Sequence, residues 1–60
     1  MQILIKWVNA VEHTILNGVT VITDDQQAEC YLFHGVNEEK GHFSYMFPYV
    51  AIEYFRKVGN

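Results

Sequence analysis

The sequence predicts an α+β domain: a small antiparallel β-sheet with one or two short helices on one face. Three observations carry that reading. The first half of the chain holds β-branched and aromatic segments that alternate with a period of two. A helix-start signal at Asn37-Glu38-Glu39 precedes apolar residues spaced i, i+3 and i+4. The chain has only 60 residues, enough for one compact domain with a thin core.

Gln2 to Val8 (QILIKWV) sets Ile3, Ile5 and Trp7 on one face and Leu4, Lys6 and Val8 on the other, which predicts a strand. Asn9 to Leu16 (NAVEHTIL) reads two ways. Asn9 can cap a short helix ending at Asn17-Gly18, or Val11, His13 and Ile15 can alternate along a strand; a short helix or irregular turn is the favoured reading. Val19 to Thr23 (VTVIT) is dense in β-branched residues, and the polar break Asp24-Asp25-Gln26-Gln27 separates it from Ala28 to His34 (AECYLFH). These two segments predict an antiparallel hairpin. Its second strand is bulky on both sides, with Cys30 and Leu32 on one and Tyr31 and Phe33 on the other, so it asks for two covers.

Beyond Gly35 the pattern predicts a helix. Asn37 caps it, Glu38 and Glu39 sit favourably in its first turn, and Phe43, Met46 and Phe47 fall on one face before Pro48 stops it. Gly41 weakens this helix by about 1 kcal/mol relative to alanine. In Tyr49 to Val58 (YVAIEYFRKV), Val50, Ile52 and Tyr54 alternate with Ala51, Glu53 and Phe55, and a helical stripe of the same residues is the rival. β-branched and aromatic content favours the strand. No repeat or linker divides the chain, so residues 1–60 form one domain.

Half of the residues are apolar and 15% are aromatic, more than one thin core hides. The lone Cys30 excludes an internal disulfide, which leaves self-association as support and predicts a homodimer through Tyr31, Phe33 and Tyr54. One cysteine and no secretion-type leader predict an intracellular, cytoplasmic setting, and no apolar run approaches the roughly 20 residues of a membrane-spanning helix. A formal charge of −3 repels a phosphate backbone and attracts a basic protein. Tyr31, Phe33 and Tyr54 as stacking platforms for single-stranded nucleic acid conflict with that charge.

Catalysis and metal binding find little support. Cys30, His34 and His42 are the candidate metal ligands, but no fourth ligand lies at zinc-site spacing, so neither metal nor cofactor is expected. A Cys-His nucleophile pair has no orienting acid, and no enzyme activity is predicted. Asp24 and Asp25 read as a polar turn, Glu38 and Glu39 as a helix start; the alternative is an acidic surface imitating nucleic-acid phosphates. Phe43, Tyr45, Phe47, Tyr49, Tyr54 and Phe55, with Met46, form the densest feature of the chain. Core packing claims several of them, and at least two are expected to face a partner.

Val19 to Gly35 (VTVITDDQQAECYLFHG), followed by HFSYMFPY, resembles the small uracil-DNA glycosylase inhibitors of Bacillus phages. The likeness covers about half of the chain: a β-branched strand opened by Val-Thr, a paired-Asp turn, an aromatic strand ending in His-Gly, and a short helix with spaced aromatics. It implies an acidic, dimeric DNA mimic whose helix-borne aromatic groove captures an apolar side chain of the glycosylase. By position Phe43 and Phe47 match groove residues, while Ser44 stands where an acid belongs. Glu38, Glu39 or Glu53 would then supply the acidic contact, with Met46 and Tyr49 completing the partner-binding set. The first strand is longer than that pattern needs.

The leading expectation is an inhibitor of a DNA-processing enzyme, most directly uracil-DNA glycosylase; the alternative is a homodimerisation or assembly module. Acids rimming an aromatic slot favour inhibition, whereas acids spread around a flat apolar patch favour dimerisation.

Overall fold

The computed structural model describes residues 1–39 and 41–59. Its strands are β1 (Gln2–Trp7), β2 (His13–Leu16), β3 (Val19–Asp25), β4 (Cys30–Asn37), β5 (Gly41–Pro48) and β6 (Ile52–Gly59), with one 3-10 turn at Tyr49–Ala51. They form two antiparallel sheets ordered β2-β1-β6 and β3-β4-β5. The α+β expectation is overturned: the fold is all-β, and the second cover for the apolar strands is another sheet.

The predicted helix after Asn37 is the main correction. Asn37 and Gly41 close a β4–β5 hairpin with Glu38 and Glu39 in its turn; Lys40, inside the expected helix, lies outside the described residues. Gly41 takes φ +71°, a left-handed conformation in which glycine meets no Cβ penalty. Two periodicities compete in this segment, since Phe43, Met46 and Phe47 suit a helix while Phe43, Tyr45 and Phe47 suit a strand. The strand prevails because it gives β4 a second partner from Cys30↔Pro48 to Asn37↔Gly41 and turns all three rings to one side.

The favoured reading of residues 9–16 as helix or turn is also corrected. Asn9 has φ 60°, not the extended backbone of a helix cap, and His13–Leu16 pairs with β1. The Lys6 ammonium secures the turn, donating to the Trp7 carbonyl at 2.9 Å, to the Ala10 carbonyl and to Glu53 at 3.1 Å. The β3–β4 hairpin forms as expected but is longer, and Ala28 and Glu29 belong to its turn. There Asp25 Oδ1 accepts from the Ala28 amide at 3.1 Å. The C-terminal strand forms from Ile52 onward, behind the 3-10 turn.

β2 and β3 are one run bent at Asn17-Gly18, where Gly18 has φ +79°. After the bend the chain changes sheets. The Val19 amide donates to the Met1 carbonyl at 3.0 Å, the Met1 ammonium to the Val19 carbonyl at 2.9 Å, and the Val36 amide to the Gly18 carbonyl at 3.0 Å. Register shifts in the β1–β6 and β3–β4 pairs add twist to the two sheets, which meet at this corner.

Ile3, Ile5, Val19, Phe33 and Ile52 form the buried centre, ringed by Trp7, Leu16, Ile22, Tyr31, Phe43, Phe47 and Phe55. This arrangement disperses the expected dimer face. Phe33 is completely enclosed, Tyr31 packs inward on Phe55 at 4.9 Å, and Tyr54 pairs with Lys6 on the outer side of the other sheet. No helix among the described residues is long and apolar enough to cross a membrane.

Candidate functional site

Between β2 and the β4–β5 hairpin lies a cleft of about 460 Å³. It is lined by Ile15, Leu16 and Asn17 at the end of β2, by Phe43 and Tyr45 of β5, and by Asn37, Glu38 and Glu39 of the β4–β5 turn. Glycine shapes it. Gly35 lies opposite Phe43 in register, and a Cβ on Gly35 would stand 2.5 Å from Phe43 Cζ, so the ring takes the space a side chain would fill.

From Phe43 an aromatic row runs along β5. Ring centroids are 5.3 Å apart for Phe43 and Tyr45 and 5.9 Å for the stacked pair Tyr45 and Phe47, and Phe47 meets Trp7 edge-on at 5.0 Å. Trp7 is fixed in turn, since its indole N–H donates to Thr14 Oγ1 at 2.7 Å. Tyr45 is 37% exposed although its cross-strand partner Phe33 is fully buried, so the inner aromatic face of this sheet reaches solvent here. Both turn glutamates are exposed, and no basic residue lines the cleft among the described residues.

The structure gathers only some of the expected partner-binding residues. Phe43, Glu38 and Glu39 meet at the cleft. Phe47 is half-buried behind them against Trp7 and Phe33. Ser44 and Met46 are exposed on the opposite face of β5, where Ser44 Oγ lies 3.1 Å from His34 Nδ1. Glu53 pairs with Lys6 at 3.1 Å on the other sheet. Tyr49 stands at the opposite end of β4, its ring tilted against Tyr31 with centroids 4.8 Å apart, and its hydroxyl donates to Asp24 Oδ1.

That hydrogen bond raises the Tyr49 hydroxyl well above its ordinary pKa, with burial and the Asp24 charge adding to the effect. A raised folded-state pKa means that the stabilisation is complete below about pH 10 and is lost as pH climbs further. Alkaline unfolding followed by circular dichroism should therefore show Tyr49→Phe to be less sensitive between pH 10 and 12 than the parent chain.

Cys30, His34 and His42 do not converge. Cys30 is buried at the start of β4, while His34 pairs with Ser44 across the β4–β5 ladder. Among the described residues no three His, Cys, Asp or Glu side chains stand close enough to hold a metal. Burial, then Asp25 and Asp24, pushes the Cys30 thiol up, which disfavours the nucleophilic thiolate. Chelation with EDTA is expected to leave the melting temperature unchanged; a drop reversed by zinc would reveal a metal site.

Tyr45 is the main residue that the sequence-level partner set lacks, together with Ile15, Leu16, Asn17 and Asn37. The i, i+2 spacing of Phe43, Tyr45 and Phe47 was the available signal. The meeting of β2 with the hairpin turn has no local signal, because it depends on tertiary closure. Protein-family models, curated proteins and solved structures yield no match to this chain.

Proposed function

We propose that this domain is a non-catalytic, acidic binding module that occupies a basic nucleic-acid-binding groove on a protein partner and so inhibits a DNA-processing enzyme. One observation supports this reading above the rest: the exposed Glu38 and Glu39 line the same cleft as Phe43 and Tyr45. Acids around an aromatic slot complement a basic groove in charge and offer it a desolvated anchor. Uracil-DNA glycosylase is the target that the sequence resemblance implies, since extruding a base requires a basic DNA groove. The helix-borne groove of that resemblance is absent; its aromatic residues regroup on β5.

Uracil excision from a labelled oligonucleotide tests the proposal. Inhibition should be stoichiometric, should weaken as salt rises, and should occur without a gel shift of the DNA by the domain alone. Excision at full rate under a several-fold molar excess of folded protein would end it.

A second reading, a homodimerisation module, draws on the outer face of β3-β4-β5. Val21, Val36 and Met46 are exposed there and share that face with Leu32 by register. Sedimentation equilibrium at micromolar concentration distinguishes the readings: a dimer broken by Met46→Glu favours the module, and a monomer removes it.

A further inference from the structure

We infer that the outer edge of β5 pairs antiparallel with the same edge of a second copy, about a two-fold axis through Ser44, so that two β3-β4-β5 sheets become one continuous sheet. This assembly is independent of the inhibitor reading, and it uses a different surface from the outer apolar face.

β5 has one strand partner, β4, and the hydrogen bonds around that pair fix where its backbone points. The Tyr49 amide donates to the Glu29 carbonyl at 2.9 Å, one step beyond the pair Cys30↔Pro48, while on the other side of β4 the Val36 amide donates to the Gly18 carbonyl at 3.0 Å. Hydrogen-bonded pairs alternate along an antiparallel ladder, so Phe43, Tyr45 and Phe47 turn their N–H and C=O groups to β4. His42, Ser44 and Met46 turn theirs away from it, and no backbone group among the described residues takes them up. All three residues are exposed. Pro48, which has no N–H to give, falls in the same outward set.

Each of the other edges carries a device that blocks strand addition. β2 has only 4 residues, β3 carries Asp24, Asp25 and a register shift, and β6 carries Glu53, Arg56 and Lys57. β5 runs for 8 residues in unbroken register with no Asp, Glu, Lys or Arg from Gly41 to Pro48. A long, regular, uncharged edge is a template for another strand. A second copy matches it. With Ser44 of each copy at the axis, His42 faces the second copy's Met46 and Met46 faces its His42, so every outward donor meets an acceptor and Pro48 stays outside the ladder. Between them Phe43 faces the second copy's Tyr45 at non-hydrogen-bonded positions, where cross-strand side chains stand closest, and the aromatic row of β5 continues across the axis. Antiparallel pairing also sets the Glu38-Glu39 turns of the two copies at opposite ends, roughly 30 Å apart, so like charges stay separate. A foreign strand could take the same backbone groups, but the second copy brings the uncharged aromatic strand that this edge fits.

Amide hydrogen exchange of the 15N-labelled full chain, read by NMR at dilute and at millimolar concentration, tests this pairing. The monomer should protect Phe43, Tyr45 and Phe47 and leave His42, Ser44 and Met46 open; as concentration rises, exchange of the second set should slow by about tenfold or more while sedimentation reports a dimer. A mixture of 13C-labelled and unlabelled chains should give an intermolecular contact between the Cα protons of Phe43 and Tyr45. Ser44→Pro removes an outward N–H and no bond to β4, so it should weaken the dimer by about a hundredfold, whereas Met46→Glu, changed on the outer face, should leave it in place. A monomer at millimolar concentration, a dimer whose His42, Ser44 and Met46 amides exchange at the monomer rate, or a dimer broken by Met46→Glu and not by Ser44→Pro would overturn the inference. Protection of those amides only on addition of another protein would assign the edge to a foreign strand and overturn it likewise. If Ser44→Pro fails to fold, exchange and the intermolecular contact in the unaltered chain decide the question.

Discussion

Gly35→Ala should leave the domain largely unfolded at room temperature in mild urea, with a loss of at least about 3 kcal/mol. A Cβ at Gly35 would stand 2.1 Å from the Gly18 carbonyl oxygen and 2.5 Å from Phe43 Cζ. A ring can swing aside, but backbone cannot move so cheaply. The Gly18 carbonyl also accepts from the Val36 amide at 3.0 Å, so relieving the clash pulls apart the bond that ties the bend of the second sheet's edge to β4. A 60-residue domain has a total stability of roughly 3–9 kcal/mol, so this single methyl group removes a large share. Gly41→Ala is the control. Unlike Gly35, Gly41 has positive φ, yet nothing lies within 4 Å of its Cβ position, so the cost should be only about 1 kcal/mol. Urea titrations of both variants measure the difference, and equal losses would show that the crowding at Gly35 is relieved at little cost.

Phe33→Ala should cost about 3–5 kcal/mol, enough to abolish cooperative thermal unfolding in a domain this small. Phe33 has no exposed surface and joins the two sheets, with its ring 5.3 Å from Phe55 of one and 5.8 Å from Phe47 of the other. Emptying that position removes the contacts of both neighbours, and the strands around it are held by ladders that resist collapse into the void. Phe33→Leu keeps most of the volume and should cost far less, about 1.5 kcal/mol. Calorimetry checks the pair, and a Phe33→Ala melting curve close to that of the parent chain would place the core elsewhere.

Much of the sheet structure is legible in the sequence. β1, the β3–β4 hairpin and β6 follow from β-branched and aromatic residues at a period of two, and the Asn17-Gly18 punctuation marks the bend between β2 and β3. β5 is not legible, for two physical reasons. Asn37-Glu38-Glu39 serves equally as a helix start or as the tip of a hairpin closed by Gly41, and the four aromatic or Met side chains at 43, 45, 46 and 47 satisfy both periodicities. What decides between them is the exposed edge of β4, a tertiary fact. β2 is half legible, since His13 and Ile15 alternate as a strand requires, whereas Asn9 has the residue type of a cap and only its left-handed backbone places it in a turn. At the cleft, Phe43, Glu38 and Glu39 stand out in the sequence as partner-facing types. Ile15 and Leu16 cannot, because they arrive from a distant strand.

Everything proposed for the cleft depends on β5 being a strand in its stated register, since a helix over the same residues would scatter Phe43, Tyr45 and the turn glutamates. Solution NMR of the labelled chain measures this directly through 13Cα shifts and cross-strand nuclear Overhauser effects. Strand-like shifts from His42 to Phe47, with contacts linking Tyr45 to Phe33 and Met46 to Leu32, are the expected result. Helix-like shifts with strong sequential amide contacts through the same residues would contradict the account.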